Sequence, residues 1–432
     1  MNKLYVCVVI LVAAAFTVVF DTFPRSTVSE LEKRELTKFP EFSIGRLASG
    51  EFTRDVSAWF SDSEPYRDML MALSMKTRDL LTLNVGGEEE SVRFHASTDT
   101  TEPIEEEQDS DEPANIDNSS ANEKAKIANA GIIVIGSGPK VRAVMAFGGK
   151  GSGGGRYAAV ANKYKATFPN VNVYCMVIPT AIEFYCPDKV RNRTASQKAA
   201  IDNIYRHLNG GVKGVDIYSA LSRHTAEDIY LRTDHHWAPL GAYYAAREFA
   251  TLAEVPFADL STYDADTVRH YVGTMKKFSG DNAVGRAPED FVFYIPNGVD
   301  YATTYIRYQT GRNRQVVSES DPEEGPFFFP YDDGSSSAYL TFMRGDLNTT
   351  MVKTSTSNGR HLLILKDSFG NALPGYLFHS FEEIHVVDCR YFTKNILRYA
   401  REHRITDVLF ANNIGHAHAP ATARSYHQYL EQ

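Results

Sequence analysis

The run Thr233-Asp234-His235-His236-Trp237-Ala238-Pro239 puts a carboxylate, two imidazoles and an indole in consecutive positions, just before a proline suited to open a helix. An imidazole with one nitrogen held by a carboxylate offers the other as a base near neutral pH. In an extended segment residues i and i+2 share a side, and i+1 points the opposite way. Asp234 and His236 are then the working pair, His235 faces away toward packing or a supporting contact, and Trp237 walls the site. Two other roles stay open for these residues. An Asp-His pair also stabilises turns, and two histidines with a carboxylate are metal-ligand types. Adjacent histidines seldom converge on one ion, so neither metal nor cofactor is expected.

Such a base needs a nucleophile. In Leu362-Leu363-Ile364-Leu365-Lys366-Asp367-Ser368-Phe369-Gly370-Asn371 an apolar strand ends and a serine follows where the chain turns toward a helix. Open α/β sheets place their sites outside the carboxyl ends of such strands. Taken alone, Ser368 reads as easily as an N-capping serine. With His236 to take its proton it becomes a candidate acyl-transfer nucleophile. The amides of Ser368, Phe369 and Gly370 would face a developing oxyanion. The pattern is not Gly-x-Ser-x-Gly, which argues against the common α/β-hydrolase elbow. Phe410-Ala411-Asn412-Asn413 follows the final strand-like run, so Asn412 is a second candidate oxyanion donor, and Pro179-Thr180 ends another strand near the same crevice.

Other features exclude functions. A net charge of −9 and a pI near 5.8 argue against a nucleic-acid binder, which would need a basic patch. Gly136-x-Gly138 lacks the third glycine of a dinucleotide fingerprint, and Gly149-Lys150-Gly151-Ser152-Gly153 is no P-loop. His416 and His418 read as loop residues. Among the cysteines at 7, 175, 186 and 389, spacing permits a Cys175–Cys186 bridge without requiring one.

The elements that must hold these residues alternate. Strands are expected at Gly131–Ile135 and Val141–Met145 as a hairpin, then at Val171–Ile178, Val215–Ile217, Leu362–Leu365, Glu383–Val387 and Asp407–Phe410. Helices are expected over Arg156–Phe168, Ser196–Leu208, Pro239–Leu252, Asn371–Phe378 and Tyr391–Glu402. Alternation of this kind predicts an α/β domain over 127–432 with a mainly parallel sheet between helical layers. Residues 261–358 break the pattern and read as a turn-rich insertion or β-rich excursion that could cover the site or grip a polymer. Residues 85–126 hold an acidic run, with eight acids and no base from Asp99 to Glu112, and are expected to be disordered. Residues 24–84 read as a helical stalk packing on the body, with helix-forming composition over Ser29–Leu36 and apolar faces at Phe52, Val56, Trp59, Phe60 and Met69–Leu81. Leu4–Phe20 is an uncharged apolar run after Lys3, so residues 1–23 read as a signal-anchor, or otherwise as a cleaved signal peptide.

At these residues the chain resembles the bacterial DHHW family, named for Asp234-His235-His236-Trp237. The resemblance extends to Pro179-Thr180, to Lys366-Asp367-Ser368-Phe369 and to Val386–Phe392. That family is in turn similar to the SGNH-like domains of alginate O-acetyltransferase proteins, whose Asp-x-His-Trp motif precedes the serine in a circularly permuted order. The resemblance implies an SGNH-hydrolase-like three-layer fold with Asp234 as acid, His236 as base and Ser368 as nucleophile. It further implies transfer or removal of O-acetyl groups on an envelope polysaccharide outside the cell, with a multi-span membrane acyltransferase as donor partner. A non-catalytic carbohydrate-binding or scaffold protein of the same fold is the alternative. Lys366-Asp367 departs from the residues those transferases carry before the serine.

Overall fold

Three apolar runs organise the molecule: Asn172–Ile178, His361–Lys366 and Asp407–Asn413 are strands whose residues are buried almost without interruption. Such runs suit parallel strands covered on both faces. The computed structural model describes residues 28–29, 34–35, 38–62, 65–66, 92–95, 131–310 and 316–432. It divides into two units, Met1–Asn84 with Gly280–Asn282, and Val85–Ser279 with Ala283–Gln432.

In the first unit, Val28–Ser29 pairs antiparallel with Arg34–Glu35, where a helix was expected. Helix propensity without an apolar stripe to dock is a weak determinant. Helices follow at Ile44–Ala48, capped by Ser43, and Glu51–Asp62. The Phe52–Trp59 face of the second is met edge-on by Phe39 and Phe42 of the same unit. The expected anchor at 1–23 and the Met69–Leu81 face lie outside the described residues. No helix among the described residues is long and apolar enough to cross a membrane.

The larger unit begins with β1 (Val92–His95), β2 (Ile132–Ile135) and β3 (Arg142–Met145), an antiparallel sheet. The expected β2–β3 hairpin is present, and its turn needs Gly136 and Gly138 at φ of +81° and +65°. β1 lies inside the stretch expected to be disordered; the acidic run itself is outside the described residues. Next come α1 (Gly155–Thr167), β4 (Asn172–Ile178), α2 (Gln197–Arg206), β5 (Val212–Gly214) and α3 (Pro239–Ala253). β5 sits earlier than expected because Asp216 accepts the Ser219 amide and starts a helix at Ile217.

Residues 261–358 are β-rich, and part of them joins the central sheet rather than standing outside it. They supply a hairpin, β6 (Tyr263–Tyr271) with β7 (Glu289–Pro296), then β8 (Tyr301–Thr310), β9 (Val316–Glu319), β10 (Glu323–Gly325) and β11 (Asn348–Thr354). β12 (His361–Lys366), β13 (Glu383–Asp388), α4 (Ile396–Glu402), β14 (Asp407–Asn413) and α5 (Pro420–Glu431) complete the unit. The central sheet runs β9-β8-β11-β13-β12-β14-β4-β5, with β10 also on β8. From β13 to β5 every pairing is parallel; from β13 through β11 to β8, β9 and β10 every pairing is antiparallel. The sheet is therefore mixed rather than mainly parallel, because the 261–358 segment supplies four of its nine strands.

Alternation along β12 and β14 feeds two cores. Leu363, Leu365, Val408 and Phe410 meet Tyr157 and Tyr164 of α1, Ile201 of α2 and Tyr426 of α5. Leu362, Ile364, Leu409 and Ala411 meet Trp237, Phe249 of α3 and Phe369 on the other face. Each such large buried side chain contributes roughly 1.5–3 kcal/mol. Cys175 and Cys186 belong to opposite cores and are unbridged.

Two expected helices change. Asn371–Phe378 is not one helix, since 3-10 turns at Ser368–Ala372 and Pro374–Leu377 meet at Pro374, which lacks an N–H. The Tyr391–Glu402 helix starts only at Ile396, where Asn395 accepts the Arg398 amide.

Candidate active site

The Asp234 segment is bent rather than extended. Tyr230 and Trp237 form an antiparallel bridge that closes it, and Pro239 then begins α3. Within the bend, Asp234 Oδ1 accepts the His236 amide at 3.1 Å and stands 2.6 Å from His236 Nδ1. The expected pair meets, but through this local turn rather than strand alternation. His235 therefore does not face away: its ring lies 3.8 Å from that of His236, and its Nδ1 is 2.6 Å from Thr274 Oγ1.

Ser368 begins the 3-10 turn after β12, and its Oγ lies 2.8 Å from His236 Nε2. Asp367 fixes that turn. Its Oδ1 accepts the Phe369 amide, and its Oδ2 accepts the amide and side-chain nitrogen of Asn413 at the end of β14. The Phe369 carbonyl accepts Trp237 Nε1 at 2.9 Å and the Tyr339 hydroxyl at 3.2 Å. Below the turn, Lys366 Nζ donates to Asp346 and Asp388, and Arg390 bonds both carboxylates. Burial works against the Lys366 ammonium, yet Asp346 and Asp388 outweigh it and raise its pKa. This buried network fills the place where the sequence departs from the transferase pattern.

Asp234 is fully committed. Its Oδ2 accepts the Tyr271 hydroxyl, the Thr274 amide and the Thr274 hydroxyl, at 2.8–3.0 Å. Burial alone would raise its carboxyl pKa, but His236, His235 and these hydrogen bonds hold it well below the usual carboxylate range. His235 is less covered, yet its partial burial, with His236 alongside, pushes it down to about 3. Asp234 thus stays an acceptor, and His235 stays neutral.

The remaining candidates divide. Trp237 and Phe369 adjoin the pair, with the Phe369 ring 5.0 Å from His236, although Trp237 is fully buried behind the turn. The amides of Phe369 and Gly370 are already bonded to Asp367, so among the described residues Ser368's own N–H is the amide this turn offers to an oxyanion. Asn412 is not an oxyanion donor. It points from the other face of β14, where its Oδ1 accepts the hydroxyls of Tyr157 and Tyr426. Thr180 follows β4 and is held by Gln197, while the Pro179 carbonyl accepts the Tyr230 hydroxyl; neither is bonded to the triad. Tyr271, Gly273, Thr274 and Tyr339 were missed. They come from 261–358, where nothing in residue type or spacing marked them.

Donor atoms of Asp234, His235 and His236 lie within 4.8 Å of one another. Two ligands on one tetrahedral ion stand about 3.4 Å apart, for metal–ligand distances of about 2.1 Å. The 2.6 Å between Asp234 and His236 is a hydrogen-bond length, so the trio as arranged shares protons.

The fold and site define a class: a mixed α/β protein with a Ser-His-Asp relay at the carboxyl ends of its parallel strands. Residues 100–387 match the family model for DHHW protein, and the chain belongs to that family. It is 37% identical to a DHHW family protein from Eubacterium siraeum DSM 15702, with a TM-score of 0.61 over 69% of this chain and 95% of that one. PatB1 of Bacillus cereus, solved with a sulfonyl adduct, shares the fold at 16% identity and a TM-score of 0.54, over 66% of this chain and 95% of its own. The O-acetyltransferase domain of Pseudomonas putida AlgJ aligns over 67% of this chain and 96% of its own, at 11% identity and a TM-score of 0.36. No curated protein sequence matches.

Proposed function

We propose that the chain is an extracytoplasmic serine acyltransferase or esterase acting on O-acetyl groups of an envelope or exported polysaccharide. One observation carries this reading: His236 stands 2.6 Å from Asp234 through Nδ1 and 2.8 Å from Ser368 Oγ through Nε2. That is the geometry a serine needs to lose its proton as it attacks. Ser368 Oγ bonds to the acyl carbon and His236 takes its proton. The Ser368 amide steadies the oxyanion, and His236 returns the proton to the departing oxygen. A sugar hydroxyl (transfer) or water (hydrolysis) then gives its proton to His236 and attacks the acyl-serine, which restores Ser368. No cofactor enters this cycle.

The order Asp234, His236, Ser368 along the chain supports reading the fold as SGNH-hydrolase-like with permuted motifs. A body held outside the cell by the 4–20 apolar run, with a multi-span membrane acyltransferase supplying acyl groups, is the accompanying proposal. Unchanged surface acetylation after deletion of that partner would remove it.

The test is hydrolysis of p-nitrophenyl acetate by wild type, Ser368→Ala, His236→Ala and His235→Ala. Loss in the first two variants and survival in the third is the expected result. A sulfonyl fluoride should also place one sulfonyl group on wild type, with loss of HF, and none on Ser368→Ala. Activity surviving in Ser368→Ala would sink the nucleophile. An inert wild type that takes no adduct would favour a carbohydrate-binding role.

A further inference from the structure

At the other end of the parallel strands lies a second constellation that the acyl-transfer reading does not use. Glu383 and His385 alternate onto the same face of β13, and His403 caps the carboxyl end of α4 above them. One donor atom from each lies within 4.8 Å of the other two. His385 is buried, whereas Glu383 and His403 are only partly covered, so the cluster opens to solvent on one side.

Its internal distances differ from those at Asp234. His385 Nε2 stands 3.4 Å from Glu383 Oε2, longer than the 2.7–3.2 Å or so of a well-formed N–H···O bond. It matches the edge of about 3.4 Å expected between two ligands of one tetrahedral cation. The other His385 nitrogen, Nδ1, is 2.8 Å from the Tyr399 hydroxyl. A ligating imidazole is commonly aimed in this way, through its second nitrogen. The His403 ring stands 4.6 Å from that of His385, and its carbonyl receives His361 Nδ1 at 2.8 Å, tying the loop after α4 to the start of β12.

We propose that Glu383, His385 and His403 form a binding site for a divalent cation, zinc by ligand type. Two imidazoles and a carboxylate suit that ion and leave its fourth position to solvent. The site braces β13 against α4. It is separated from Ser368 by the length of β12, roughly 20 Å at about 3.3 Å per residue, so it takes no part in the serine chemistry.

The full chain, stripped with chelator, is titrated with Zn2+ against a competing chromophoric chelator, and cobalt is used in parallel for its tetrahedral absorption bands. Wild type should bind one equivalent with a rise in melting temperature. Glu383→Gln and His403→Gln, both at partly exposed positions, should weaken binding at least about tenfold. They should melt like wild type in chelator and keep wild-type esterase activity. The proposal fails if wild type takes up no stoichiometric zinc, or if both variants bind as wild type does. It fails equally if binding is lost in Asp234→Asn while surviving in Glu383→Gln, which would move the ion to the serine site.

Discussion

Tyr339 lies flat on His236, with ring centroids 3.9 Å apart and planes 8° from parallel. The same tyrosine sends its hydroxyl to the Phe369 carbonyl. One side chain therefore sets both the plane of the imidazole and the position of the turn that carries Ser368.

Replacement of Tyr339 should separate these effects. Tyr339→Phe keeps the stack and should stay within about threefold of wild-type kcat/KM. Tyr339→Leu frees the ring and should cost about 10–100-fold, because small misplacements of a catalytic group are expensive. Steady-state ester hydrolysis, with melting temperatures alongside, reads both.

Asp234→Asn should lower kcat by about 10^3–10^4-fold, the scale found where a triad aspartate loses its charge. Asn can present its amide nitrogen to Nδ1 and select the wrong tautomer. A loss smaller than tenfold would mean that His236 does not depend on this carboxylate.

Gly273→Ala is expected to disrupt the site although Gly273 touches no substrate in the proposed cycle. A Cβ there would overlap the Asp234 carboxylate, inside any tolerated contact. Activity should fall about as far as in Asp234→Asn, together with a lower melting temperature, since the buried carboxylate must shift away from Tyr271 and Thr274.

His235 makes stability depend on pH. Its folded value of about 3 lies below the ordinary 6.5, so as pH falls the unfolded chain takes up this proton before the native state does. The native state should lose up to about 2 kcal/mol between pH 6.5 and 5 from this group. Asp234, held below the carboxylate range, adds nothing in that window. Denaturant melts of wild type and His235→Asn should converge as pH falls; parallel curves would contradict the assignment.

Lys366→Met leaves the buried Asp388 with Arg390, and Asp346 with Arg390 and the Asn371 amide, but removes the ammonium that joins the two carboxylates. Breaking a buried ion network from one side costs about 3–5 kcal/mol. A melting temperature unchanged in Lys366→Met would show that the network contributes nothing.

Much of this was legible in residue type and order. The strands β4, β12 and β14 announce themselves as nearly uninterrupted apolar runs, which suit a doubly covered sheet. The meeting of Asp234 with His236 was legible as well, though the cause was misjudged: a side chain bonding its own backbone, not strand alternation, brings them together. What could not be read was tertiary. β8 and β11 carry Thr, Tyr and Arg in patterns that suit a surface hairpin equally well, and only the pairing of β11 with β13 reveals them as part of the central sheet. Tyr271, Thr274 and Tyr339 reach Asp234 and His236 across gaps of tens of residues, and no local pattern encodes such a meeting. Asn412 illustrates the same limit at one-residue resolution, since its neighbour Asn413 faces Asp367 while Asn412 faces the tyrosines.

The position of β14 bears on how the chain is made. It is the last strand in sequence among the described residues, yet it sits between β12 and β4. Until residues 407–413 leave the ribosome, β4 and β12 each present an open, strongly apolar edge, the kind that recruits foreign strands. Native closure of the sheet therefore waits for residues 407–413, and until they arrive both edges must be shielded from foreign strands. Asn413, at the tip of that strand, bonds Asp367 beside the serine. Labelling of Ser368 by a sulfonyl fluoride should consequently require residues 407–413 to be in place, making the serine a reporter of this strand's insertion.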